Sequence, residues 1–183
     1  MGTGLWKSGG CLLLIAAALA GGCRRPATAA RVEEGPSQRH WYLDRAQPPL
    51  PTIPLWVGAE TLTAEVARTT TQIATGMMYR TNMAENAAML FVFRGPAKRS
   101  FYMRNTKIPL SVAYLDPEGY ILEIYDMQPM DETPVESVSS NVQYALETRQ
   151  GWFKRRGIGP GALVRAPFGG LNEVDWRTLR PLR

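Results

Sequence analysis

A chain of 183 residues, 45% hydrophobic and 20% charged, is long enough to bury one core of its own. Its net charge of +5 invites a nucleic-acid reading, but between Gly58 and Phe168 twelve Lys and Arg face eleven Asp and Glu, whereas nine face five outside that span. Phosphate binding needs a field concentrated on one face, so no nucleic-acid partner is expected.

Residues 1–23 read as a lipoprotein signal peptide. Met1 to Lys7 carries one positive charge, Cys11 to Ala20 is almost wholly apolar, and Ala20-Gly21-Gly22-Cys23 is a run of small residues ending in a thiol that can accept a diacylglycerol. The apolar stretch is about half of the ~20 residues a spanning helix needs, which makes it an export signal. The alternative is a plain secretory peptide, since Ala20 stands where lipoprotein signals usually have Leu. The expected location is a cell-envelope membrane, with the chain facing the periplasm or the exterior and the membrane as a partner through lipidated Cys23. Cys11 and Cys23 are the two cysteines, so no disulfide supports residues 24–183.

Residues 24–57 read as a tether. Pro48, Pro49, Pro51 and Pro54 fall within seven residues, a density that opposes helix and favours polyproline II. His40, the one histidine, sits among Arg39, Trp41 and Tyr42 and reads as a surface or docking residue.

Residues 58–168 read as a mainly β domain with two short helices, a small closed barrel or a strongly curled mixed or antiparallel sheet. Thr61 to Val66 alternates as a half-buried strand does. Thr69 to Met78 starts a short helix capped by Thr69 or Thr70. Ala88 to Phe93 is apolar enough for a strand buried on both faces, and Arg99 to Met103 is a further strand. Pro109–Leu115 and Tyr120–Met127 flank Asp116-Pro117-Glu118-Gly119, a hairpin turn. Val142 to Glu147 is a strand; Thr148 then caps a helix to Arg155 that Gly157 and Ile158 close. Ala162 to Ala166 is the last strand, and residues 169–183 form a basic tail.

One stretch is more specific than any of these patterns: Gly76-Met77-Met78-Tyr79-Arg80, Ala88-Met89-Leu90-Phe91-Val92-Phe93, Ser100-Phe101-Tyr102-Met103-Arg104-Asn105-Thr106 and Ile108-Pro109-Leu110. In this order it resembles the domain of unknown function 192 family, and Asp126-Met127-Gln128-Pro129, Tyr144-Ala145-Leu146-Glu147, Gly151-Trp152 and Gly157-Ile158 look like that family's later signposts. The resemblance covers roughly Leu62 to Arg165. It implies a compact β-barrel-like fold and no established reaction. Ala88 stands for a usual Gly, Tyr102 for a usual Trp, and Ser111 for a usual Asp, so a role needing a carboxylate at Ser111 would be absent.

Chemistry is harder to find. The domain has no Cys nucleophile, no His base and no His and Cys at metal-ligand spacing. No catalytic residue, metal or cofactor is therefore assigned. Gly157 to Gly161 follows a helix and precedes a strand, the wrong order for a dinucleotide loop. Glu123, Asp126 and Glu147 are carboxylates on or near strands that could form a hydrolase pair or be solvated strand ends. Tyr102, Arg104, Asn105 and Thr106 join donors and acceptors to aromatic faces, as a saccharide site requires, or form a turn bonded to its own backbone. Seven of the eight methionines lie between Met77 and Met130; they serve as Cu(I) ligands or as core packing.

The reading that results is a tethered lipoprotein with a binding or accessory module for a small polar or saccharide ligand or an envelope-protein partner. The rival is an envelope hydrolase acting on polysaccharide or peptidoglycan through paired carboxylates.

Overall fold

The computed structural model describes residues 41–182, so Cys23 and His40 lie outside the described residues. The fold is mainly β with two short helices. Strand β1 (Thr52–Val57) points Ile53, Leu55 and Val57 inward. It pairs antiparallel with β2 (Glu60–Ala67), where Leu62, Ala64 and Val66 do the same. Period-two alternation puts these residues on one face.

Helix α1 (Thr70–Thr75) follows. Thr69 Oγ1 accepts from the Gln72 amide at 3.3 Å while Gln72 Oε1 accepts from the Thr69 amide at 3.0 Å, a reciprocal box that satisfies two end donors. The helix stops at Gly76, whose φ of +46° suits glycine and where a Cβ would lie 3.3 Å from the Phe91 ring. The chain can then return to lay β3 (Ala87–Ala97) parallel to β2.

β4 (Ser100–Phe101) is shorter than the strand expected from Arg99 to Met103; it pairs with β7 (Val135–Glu136) in a small separate sheet. β5 (Leu110–Leu115) and β6 (Ile121–Met127) form the expected hairpin, its turn held by Asp116 Oδ1, which accepts from the Gly119 and Tyr120 amides at 2.8 Å. β8 (Val142–Arg149) lies between β3 and β5. Thr148 is a strand residue and does not cap the next helix: α2 (Trp152–Arg155) starts at Gly151, in left-handed conformation with no side-chain cap. Its far end is as expected. Gly157 has φ +62°, and the Ile158 and Gly157 amides return to the Phe153 and Lys154 carbonyls at 2.9 and 3.2 Å, the paired bonds of a Schellman end.

β9 (Val164–Ala166) pairs with β1 and with β10 (Gly169–Gly170), giving one mixed sheet of eight strands in the order β10-β9-β1-β2-β3-β8-β5-β6. No ladder joins β6 to β9, so the barrel is not closed; the structure is the curled sheet. Its ends meet at a corner, through an isolated bridge between Tyr120 and Leu163 and bonds of 2.8 Å between Ile121 and residues 161 and 162.

The folded unit exceeds the span 58–168 at both ends. β1 occupies the middle of the sheet, the Leu43 amide donates to Thr75 Oγ1 at 3.0 Å, and Gln47 Nε2 donates to the Gly76 carbonyl at 2.8 Å. Beyond β10, a 3₁₀ turn (Leu171–Glu173) leads to β11 (Val174–Asp175), which pairs with β12 (Arg180–Pro181). Leu171 and Val174 are buried in the core.

Each face of the sheet has its own apolar cluster. One gathers Leu55, Leu62, Leu90, Leu115, Leu146 and Trp152; the other gathers Met77, Met89, Phe91, Met103, Tyr114 and Met127. Five of the seven clustered methionines thus serve as packing on the second face, where flexible thioethers fill gaps beside rings. Among the described residues no helix is long and apolar enough to cross a membrane.

Candidate functional site

The second face carries a cavity of about 310 Å³ between the end of α1, β3 and the segment from Lys98 to Tyr102. Phe91 and Phe93 reach it because they follow Met89 at two-residue steps along β3, on the face opposite Leu90. Phe91 and Phe101 meet edge to face at 4.9 Å, and Phe101 contacts Tyr114 at 5.9 Å. With Tyr102, 39% exposed at the mouth, these rings give the cavity an aromatic wall.

Arg99 is fixed beside it. Its guanidinium lies 4.0 Å over the Phe93 ring and donates to the carbonyls of Gly95 and Val142. Burial lowers its pKa. Lys98 adds a second cation to the lining.

Glu147 is the one carboxylate among the described lining residues. β8 places it directly between Met89 of β3 and Val112 of β5, on the same face as Ala145. It is 5% exposed, and its Oε2 has no hydrogen-bond partner among the described residues. Burial raises its pKa from 4.5 to about 8, with Arg80 opposing. Arg80 is engaged elsewhere, both terminal nitrogens donating to Glu65, which also accepts from the Leu50 amide at 2.7 Å. Burial alone would raise the Glu65 pKa, but those bonds hold it below the ordinary value.

The four residues singled out as a ligand site divide. Tyr102 and Thr106 line the cavity. Thr106 is buried, its hydroxyl donating to the Arg104 carbonyl at 3.1 Å. Arg104 and Asn105 are not lining residues. Arg104 Nε donates to Glu132 Oε2 at 2.9 Å and its guanidinium sits 5.4 Å from the Tyr102 ring; the Glu132 and Tyr42 hydrogen bonds raise its pKa. Asn105 takes φ +54°, donates from Nδ2 to Tyr79 Oη at 2.8 Å and accepts at its carbonyl from the Tyr79 amide at 2.8 Å.

The other two candidate carboxylates are satisfied. Glu123 accepts from the Val138 and Ser139 amides at 2.9 and 2.8 Å and from Tyr125 Oη at 2.8 Å. Asp126 accepts from Ser111, whose Oγ also accepts from the Gly151 amide at 2.8 Å. A serine hydroxyl can do both, so Ser111 ties β6 to the start of α2. From sequence, Phe91 reads as core and Glu147 as one of three carboxylates on or near strands. The overlooked signal was an acidic residue placed directly after the apolar and aromatic run Tyr144-Ala145-Leu146 of its strand. Among the described residues no group of three or more His, Cys, Asp or Glu is placed to hold a metal.

The sequence model of one family, described as an uncharacterised group of conserved proteins under the name DUF192, matches residues 55–166, more than half of the chain. The chain belongs to the domain of unknown function 192 family. Among curated proteins none matches. A solved structure from Sinorhizobium meliloti 1021, described as a "putative transcription regulator", is 28% identical with TM-score 0.63, over 66% of this chain and 98% of that one. A protein of unknown function from Novosphingobium aromaticivorans DSM 12444 is 32% identical with TM-score 0.61, over 63% and 86% respectively. This family's curled sheet is therefore shared by chains with no common stated activity.

Proposed function

We propose that this protein is an exported, lipid-anchored binding module of the cell envelope whose cavity takes a small saccharide. The supporting observation is the cavity itself: about 310 Å³, walled by Phe91, Phe93, Phe101 and Tyr102 over a single buried carboxyl. That volume lies at the lower end of ligand pockets. Aromatic faces stack on the apolar side of a sugar ring, while a few polar groups read its hydroxyls. Export rests on the small-residue run ending in Cys23.

Paired-carboxylate hydrolysis is less well supported, because among the described residues Glu147 has no second carboxylate beside it in the lining. The transcription-regulator description belongs to the relative and finds little support here, where the charge of residues 58–168 nearly balances. The test is a glycan array probed with the exported chain in detergent. We expect neutral saccharides to bind, and Tyr102→Ala to weaken that binding about tenfold while changing stability by less than ~1 kcal/mol. An array without a bound saccharide contradicts the reading.

A further inference from the structure

Building on the saccharide reading, we infer that Glu147 serves the cavity as an uncharged carboxylic acid, donating a hydrogen bond to a ligand oxygen, so that neutral sugars enter and organic cations do not. β3 and β5 set Met89 and Val112 opposite the Glu147 carboxyl, neither of which offers a donor. Tyr114, on the same face of β5, donates its hydroxyl to the Val135 carbonyl at 2.6 Å. Gln47 Nε2 is occupied by the Gly76 carbonyl. Arg80 is bound to Glu65, Arg99 to backbone carbonyls, and the Thr106 hydroxyl to the Arg104 carbonyl. Lys98 is the remaining charged group in the lining.

A carboxylate buried there would lack compensating donors, which makes the charged form expensive. The neutral acid needs less, and it presents one O–H donor with acceptor capacity left over. Oε2, unpartnered among the described residues, is then complementary to a sugar hydroxyl or carbonyl oxygen. The pKa of about 8 that burial gives this group agrees with that state near neutrality. A cationic ligand would find no anion to pair with and would meet Lys98 and Arg99 in the same lining.

The experiment has two arms on the exported chain in detergent. In the first, side-chain carboxyl carbons are followed by NMR in the ligand-free protein, with Glu147→Gln identifying the resonance. The midpoint is expected near 8. In the second, N-acetylglucosamine and its cationic counterpart glucosamine are titrated at about pH 6, where the acid form prevails. N-acetylglucosamine is expected to bind at least about tenfold tighter than glucosamine, to lose about tenfold in Glu147→Ala, and to be held within about threefold by the neutral isostere Glu147→Gln. A carboxyl titrating near 4.5, or a preference for glucosamine, overturns this inference while leaving a saccharide site standing. Failure of both sugars to bind overturns the ligand class together with the saccharide reading.

Discussion

A carboxyl that no donor among the described residues meets leaves a mark on stability as well as on binding. The Glu147 pKa is raised in the folded state, so the folded protein holds a proton between about pH 4.5 and 8 that the unfolded chain gives up. Its contribution is fully present below pH 4.5, declines as pH rises through that window, and is lost above 8. The slope from this one group is about 1.4 kcal/mol per pH unit. Glu147→Gln is therefore expected to flatten the stability profile between pH 5 and 8, measured by denaturant unfolding, and to be the more stable variant at the alkaline end. An unchanged slope would mean that the carboxyl is ionised in the fold. Asn105 tests a different kind of residue. Its left-handed φ and its bond to Tyr79 give it a turn role, so Asn105→Ala is expected to lower stability by about 1–2 kcal/mol, with Asn105→Gly losing less. Arg104→Ala, which breaks an exposed pair with Glu132, is expected to leave the melting midpoint unchanged and the cavity intact.

At the scale of elements, the strands that alternate or run apolar were legible: Leu62, Ala64 and Val66 announced β2, and the Asp116 to Gly119 turn announced the β5–β6 hairpin. β1 was hidden by its prolines. Pro54 sits within it, but β9 pairs with β1 only at Trp56 and Val57, so the missing amide at Pro54 leaves no bond to β9 unmade. Thr148 looked like a cap because a polar residue before Trp152 has the right chemistry; the pairing of β8 with β5 reaches Arg149 and claims it for the sheet. The cavity was illegible for a related reason. Residues of α1, β3 and β8 are far apart in sequence, and it is the pairing of β8 with β3 that brings Glu147 into one lining with Phe91 and Phe101. Residues 58–168 alone lack β1, Leu171 and Val174, so that fragment is expected to be insoluble or to show no near-ultraviolet circular dichroism, whereas residues 41–182 fold. In the intact chain, Leu55→Ala is expected to lower stability by about 2–5 kcal/mol, as removal of a fully buried leucine does; a loss under ~1 kcal/mol would place β1 outside the core.

For the whole molecule, the proposal joins a tether to a site. Cys23→Ser is expected to move the protein from the membrane fraction to the soluble envelope fraction without altering its circular dichroism; membrane association that survives the change would contradict the lipid anchor. The family's fold and the curled sheet stand apart from that outcome, since both rest on residues 41–182. What links fold to function is the cavity, formed where the packing of α1 and the Lys98 to Tyr102 segment leaves one side of the sheet open above Glu147. The most direct measurement is a chemical-shift map of the exported chain titrated with N-acetylglucosamine. The account predicts saturable shifts concentrated on Phe91, Phe93, Phe101, Tyr102 and Glu147. Shifts confined to Arg104, Glu132 and the exposed turn, with those five residues unmoved, would contradict it.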